Sequence, residues 1–583
     1  MGHYSGNDDK PWGRRLVICC DGTWQSSVSG QDNVPSNVTK LCRVIARIGS
    51  DSKNPDKKWH QLVYYDSGVG TGNLSDSERS RQGGTGAGLA ENVIEAYNYI
   101  VLNYEPGDEI FCFGFSRGAY TARAVAGLVT DIGVINPIHM QIFPEIYRAY
   151  MSNTTGMPFR ETQMWKDFVI GKLSKKGAAL SKKRGVKNDE EEAQAWEIRP
   201  HQSLVASDES RIVKVVGVWD TVGSLGIPDF ALLDNSNWRT KFGFHNVKLN
   251  GNIQHAFHAL ALDERRKAFR PTLWYIPTEL PTKLAQEGKQ IPELKQVWFP
   301  GVHINSGGGN DDAITDMKGD LEMLSMTTFV WMLQVVSPHL TIDQSAFKAY
   351  MNQYQRWLNH VRYACTYHHS NWTDWVSSKI PSIPLIHPAT DPLTQPKRDP
   401  PHTHYNFDYG WGTGPIVDSY GGMYALAGTA PRVPGSCQVE MYDPKSKEYR
   451  LEDINAYGET NEYIHPICEF RKVIRGDEPN GALRAFTRRF EKINGKGLFW
   501  WYRDGGRKGI PEWVIMKHHE HVAGMGVSDD GEVNFERAWY EQCEKSQEKL
   551  DTLATAGYHR DFLDALDIQN NFFAEEKECY VYP

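Results

Sequence analysis

Several features are missing from this sequence, and each absence removes a class of protein. There is no basic excess: 64 Lys and Arg stand against 72 Asp and Glu, for a formal charge of −8. A chain that coats nucleic acid carries a positive surplus, so a nucleic-acid partner is not expected. Cysteine is sparse, nine in 583 residues, an odd number with no C-x-x-C pair. Neither a disulfide framework nor a thiolate zinc site is expected from that pattern. Cys19, Cys20 and Cys112 lie in apolar runs, where a reduced thiol behaves as a small hydrophobe. No apolar run approaches the ~20 residues of a membrane-crossing helix. The opening MGHYSGNDDKPWGRR has no apolar signal-peptide core. Gly6 stands where an N-myristoylation signal needs Ser or Thr, and the ending CYVYP misses the prenylation spacing by one residue. An intracellular, cytoplasmic location is the expectation. No repeat of fixed period is visible.

Aromatic residues are abundant: 18 Trp, 27 Tyr and 23 Phe make up 12% of the chain. Such a content suits a large core, or the lining of a pocket or lid. With 40% hydrophobic and 23% charged residues, the composition is that of a globular protein.

Short apolar runs alternate with helical spacing through the first half. RLVICC (15–20), QLVYY (61–65), EIFCF (109–113) and IVKVVGVW (212–219) read as strands. Residues 89–104 and 117–130 read as helices, as do 252–263 and 320–336. Residues 271–276 and 296–299 add two further strand-like runs. Continuous apolar strands separated by helices indicate a parallel sheet covered on both faces. Residues 136–210 break the rhythm with a lysine-rich stretch followed by Asp189-Glu190-Glu191-Glu192, and are read as an inserted cap or lid region. Residues 1–13 read as a flexible N-terminus, and 380–403 as a proline-rich connector within a mixed C-terminal region, 336–583.

The sharpest chemical signal is Gly114-Phe115-Ser116-Arg117-Gly118, between a predicted strand and an alanine-rich helix. This is the sequence and context of a nucleophile elbow; a tight turn is the bland alternative. A serine needs a base to take its proton and an acid to orient that base. Two later strand ends supply candidates in the hydrolase order: Asp220 after IVKVVGVW, and His303 after QVWFPG. A loop-bracing carboxylate and a hydrogen-bonded loop histidine are the structural alternatives for these two. Asp263 is the rival acid, but Glu264, Arg265 and Arg266 follow it and favour an ion-paired role. His255 and His258, three apart on the predicted helix, have no third ligand at suggestive spacing and read as packing residues. The backbone N–H of Arg117 is one expected oxyanion donor. Gly22 or Thr23, in a loop fixed by Asp21, is the second. The glycine-rich runs at 68–72 and 83–88 are weak phosphate-cradle candidates, because neither has the P-loop lysine.

Taken together, LVICCDGTWQ, YYDSGVGTG, CFGFSRGAYTARAVAG, VVGVWDTVGSLG, HALALDERRKAFRPTLW and VWFPGVHINSGGG resemble one family. It is the α/β-hydrolase family that includes phospholipase effectors of bacterial type VI secretion and many fungal members. The resemblance covers roughly residues 14–335, and TNEYIHPICEFR (460–471) resembles the fungal branch. It implies an α/β-hydrolase catalytic domain and a Ser-His-Asp esterase acting on phospholipid acyl esters, with Ser116 as nucleophile, Asp220 as acid and His303 as base. A lipid or small ester substrate and a peripheral contact with a membrane surface follow from that. No metal or organic cofactor is required. One departure is Asn305, where bacterial relatives commonly carry Asp two residues after the histidine. An acyltransferase, a peptidase and a non-catalytic lipid-binding protein are the alternatives. Oligomeric state, head group and acyl position are not legible.

Overall fold

The computed structural model describes residues 12–22, 35–50, 56–68, 87–151, 153, 157–169, 208–222, 248–309, 322–352, 411, 412, 414, 416, 420, 428–443, 448–475, 482–493, 496–506, 508–515 and 535–548. Thr23, the lysine-rich stretch, the proline-rich connector and residues 1–11 lie outside these.

The described residues form a mostly parallel eight-stranded sheet between two layers of helices, an α/β architecture. Its strands are β1 (Gly13–Cys20), β2 (Ile48–Ser50), β3 (Lys58–Asp66), β4 (Glu109–Phe115), β5 (Val213–Trp219), β6 (Ile253–Ala261), β7 (Glu293–Phe299) and β8 (Glu462–Ile464). Across the sheet they run β8-β7-β6-β5-β4-β1-β3-β2, and only β2 is antiparallel to its neighbour.

Side chains alternate between the two faces, and both faces are apolar. In β1, Leu16, Ile18 and Cys20 face one layer while Val17 and Cys19 face the other. The first layer holds helices α2 (Ala87–Asn103) and α3 (Arg117–Ile132). The second holds α1 (Asn37–Val44), α5 (Glu322–Val336) and α6 (Phe535–Glu548), with α4 (His303–Gly307) at its rim. α5 is buried almost all round, which accounts for its lack of a polar stripe.

The segment 252–263 is a strand, β6, and not the helix that its Ala and Leu content suggests. Propensity loses here to position: β6 lies between β5 and β7, with Ala256 in one layer and Phe257 in the other. Residues 271–276 form no strand of the main sheet: Ile276 pairs with Glu459, and Pro271 and Tyr275 make isolated bridges to Val222 and Lys248. The described helices of 136–210 pack along α2 and α3. Phe143 stacks on Tyr97 at 4.4 Å, and Tyr150 donates a hydrogen bond to Asp131.

The C-terminal region supplies the edge strand. Within TNEYIHPICEFR, Glu462 accepts hydrogen bonds from Trp298 Nε1 at 2.8 Å and Thr460 Oγ1 at 2.7 Å, pinning β8 beside β7. An antiparallel meander (Phe486–Ile493, Lys496–Arg503, Gly509–Pro511) shares a core with this edge, where Trp501 and Ile510 meet Trp298 and Ile464.

Candidate active site

In a parallel sheet the loops that follow the strands all emerge at one rim. Ser116 follows β4, Asp220 follows β5 and His303 follows β7. Residues separated by 187 and 83 positions thereby meet.

Ser116 has φ 57° and ψ −120°, a left-handed backbone that serine adopts only when its surroundings enforce it. The enforcing contacts are backbone ones. A Cβ on Gly118 would lie 2.2 Å from the carbonyl oxygen of Cys20 and 2.3 Å from that of Asp21. One on Gly114 would lie 2.3 Å from the Gly118 oxygen. Glycine at both positions lets β4 turn into α3 hard against the end of β1.

The Ser116 hydroxyl lies 2.7 Å from His303 Nε2, and His303 Nδ1 lies 2.6 Å from Asp220 Oδ2. An ionised carboxylate only accepts, so the imidazole proton belongs on Nδ1 and the Nε2 lone pair faces the serine. Phe115 and Phe269 flank the imidazole, each with its ring centroid 4.8 Å away. Burial lowers the proton affinity of His303, against the opposing pull of Asp220. At neutral pH the ring is an uncharged base. Burial alone would raise Asp220, but the charge of Arg432, the contact with His303 and the Arg432 hydrogen bonds together hold it well below the usual carboxylate range.

Arg432 was not visible as a site residue in the sequence. It is fully buried, and its two terminal nitrogens reach Asp220 Oδ1 and Oδ2 at 2.5 and 2.9 Å. The same nitrogens donate to the carbonyls of Ala261 and Phe269, each at 2.6 Å. This planar fork is a geometry that lysine cannot copy. The one local signal was its setting, Pro431-Arg432-Val433-Pro434, where flanking prolines stiffen the backbone.

The rival acid, Asp263, accepts a hydrogen bond from the Gly301 N–H at 2.6 Å and so braces the loop before His303. Glu264 is ion-paired with Arg266 at 2.7 Å and accepts from the His303 N–H at 3.2 Å. Asn305 accepts from the Val302 N–H at 3.0 Å, which requires no charge. His258 accepts from the Thr221 N–H at 3.1 Å, steadying the turn after Asp220. Burial pushes this histidine down to about 3, so it remains an acceptor.

Asp21 fixes the end of β1. Its Oδ2 accepts from Ser36 at 2.6 Å, Tyr65 at 2.7 Å and Thr39 at 2.9 Å. The Gly22 N–H donates to Asp21 Oδ1 at 2.7 Å. That bond engages the group that the sequence offered as an oxyanion donor. Arg117 opens α3 directly after Ser116.

Residues 14–335 match the family described as T6SS, Phospholipase effector Tle1-like, catalytic domain. The chain belongs to this family. Arg432 and β8 lie beyond the matched stretch. The uncharacterized protein YEL023C of Saccharomyces cerevisiae (strain ATCC 204508 / S288c) is 23% identical over 281 residues, 46% of this chain and 34% of that protein. The chain thus spans about a third of the curated relative that it matches. Among solved structures, the Tle1 effector bound to the VgrG spike of the Type 6 secretion system is 17% identical, with 51% of each chain covered and a TM-score of 0.25. An uncharacterized protein from Pseudomonas aeruginosa is 15% identical, with 56% of this chain and 45% of that one covered and a TM-score of 0.26. Among the described residues, no helix is long and apolar enough to cross a membrane.

Proposed function

We propose that this protein is a serine hydrolase that cleaves carboxylic esters, with phospholipid or other lipid acyl esters as substrates. The observation that carries the proposal is the unbroken chain of hydrogen bonds from Ser116 through His303 to Asp220. Membership of a phospholipase effector family supports the lipid ester.

In this mechanism the Ser116 oxygen attacks the ester carbonyl and His303 Nε2 takes its proton. Asp220 stabilises the imidazolium that forms. The tetrahedral intermediate collapses, the histidine returns the proton to the departing alcohol, and an acyl-serine remains. Water, deprotonated by the same histidine, then releases the carboxylic acid. The backbone N–H of Arg117 is the first oxyanion donor. With the Gly22 N–H engaged by Asp21, Thr23 is the remaining sequence candidate for the second. Arg432 is a positioning residue: it touches no reacting atom and acts through Asp220.

The test combines a fluorophosphonate probe with a panel of phospholipid, short acyl ester and amide substrates. Wild type should be labelled once and release fatty acid. Ser116→Ala should be unlabelled and slower by ~10⁴-fold or more. Equal turnover by the variant would overturn the proposal.

A further inference from the structure

A second cluster of chemistry-bearing side chains lies at the opposite end of the sheet. His255 stands near the start of β6 and Glu293 begins β7. The two are direct register partners in neighbouring parallel strands. His339 follows the end of α5, and its ring lies over that of His255 with centroids 3.8 Å apart. His255 Nδ1 is 2.6 Å from Glu293 Oε2. From each of the three residues one ligand atom can be chosen so that all lie within 4.8 Å of one another. His255 lies six positions before Ala261, which is bonded to Asp220. At ~3.3 Å per residue the cluster is about 20 Å from the esterase rim.

We propose that His255, Glu293 and His339 form a binding site for a borderline divalent cation such as Zn²⁺, independent of the ester-cleaving site. Two imidazoles and a carboxylate are a characteristic protein donor set for such ions, with a fourth position left to water. All three residues are only partly buried, so an ion can reach them. Bringing the donors to metal–ligand distances of ~2.0–2.2 Å requires side-chain rotation, with the strands left in place.

Among the described residues the His339 ring makes no hydrogen bond, and it lies over His255. Lys295 pairs with Glu293 through the other carboxylate oxygen, Oε1, at 2.5 Å. That leaves Oε2 toward His255. Lys295 and Lys214 also bring positive charge near the corner, which tempers affinity and argues against a purely electrostatic ion such as Ca²⁺. The sequence did not show this site, because the third ligand is 84 residues from the first and β6 reads as helix.

The test is direct binding to the full-length protein, after chelator treatment and dialysis. Zn²⁺ is followed by competition with a chromophoric chelator, and Co²⁺ by its visible absorption. Wild type should bind one equivalent, with a ligand-field spectrum of mixed N and O donors. His339→Ala and Glu293→Gln should each weaken Zn²⁺ binding by ~100-fold or more, while fluorophosphonate labelling of Ser116 stays at the wild-type rate. That labelling reports folding in each variant. Zn²⁺ should also raise the melting temperature of wild type but not of His339→Ala. Failure of wild type to bind stoichiometrically, or equal affinity in both variants, would overturn the proposal. So would a thiolate spectrum with Co²⁺, which would place the ion on cysteine.

Discussion

Two side chains set the behaviour of the proposed catalytic group. His303 must be unprotonated to accept the serine proton, and its proton affinity is lowered by burial. Activity should therefore fall with decreasing pH only below the ordinary histidine range, and a pH–rate profile of kcat/KM would show it. Arg432 is the second. Replacing it by Met leaves the Asp220 charge buried without its fork, at a cost of about 3–5 kcal/mol in stability. Urea unfolding at neutral pH measures that loss. With the guanidinium gone, the full negative charge of Asp220 acts on His303 and raises its proton affinity. The acid limb of Arg432→Met should therefore move to higher pH, with Arg432→Lys between it and wild type. A residue that only fills space would leave the limb unmoved. Asp220 itself follows the usual sign for a depressed carboxylate. Its contribution to stability is present at neutral pH and is lost as pH falls below the ordinary carboxylate range.

Among the elements, the turn between β4 and α3 tolerates least. Gly118→Ala would place a methyl group 2.2 Å from a backbone oxygen that cannot swing aside. It should lose at least the ~1–3 kcal/mol of ordinary overpacking and most fluorophosphonate labelling. Gly288→Ala is the control. It also has positive φ, +66°, but nothing lies within 4 Å of its added Cβ. Only the backbone strain of roughly 1–2 kcal/mol should appear there, with labelling intact. Thermal melts of the two variants side by side distinguish collision from strain. The loop before His303 follows similar logic. Its direction depends on Asp263 at Gly301, Glu264 at the His303 N–H and Asn305 at the Val302 N–H. Asp263, the acid that competes with Asp220 in the sequence, therefore braces the histidine loop together with its neighbour Glu264.

At the level of the whole molecule, the sheet does not end where the family match ends. Residues 14–335 contain strands β1 to β7, but β8, Arg432 and α6 come from later in the chain. In α6, Trp539 donates to Thr327 of α5 at 3.1 Å, and Phe535 and Trp539 join the core of that face. A fragment of residues 14–335 should expose one edge of β7 and much of the α5 surface, and should lack the partner of Asp220. Expression of this fragment beside the full chain should give aggregated or molten protein without probe labelling. Soluble, labelled fragment would show that the C-terminal region is dispensable.

The sequence alone determined what is local and repetitive. Apolar runs marked β1, β3, β4, β5 and β7, because strands buried on both faces need such runs. Gly114-Phe115-Ser116-Arg117-Gly118 marked the tight turn between β4 and α3, because only glycine fits where backbones nearly touch. Strand ends marked Asp220 and His303, because a parallel sheet gathers its outgoing loops. Tertiary structure decided the rest. It made a strand of 252–263 by placing it between two others, against the preference of its own residues. It brought Arg432 to Asp220 across 212 positions, and His339 to His255 across 84, contacts without a periodic signature. Periodicity reports which face of an element is buried; which distant charge meets which is settled only when the layers close.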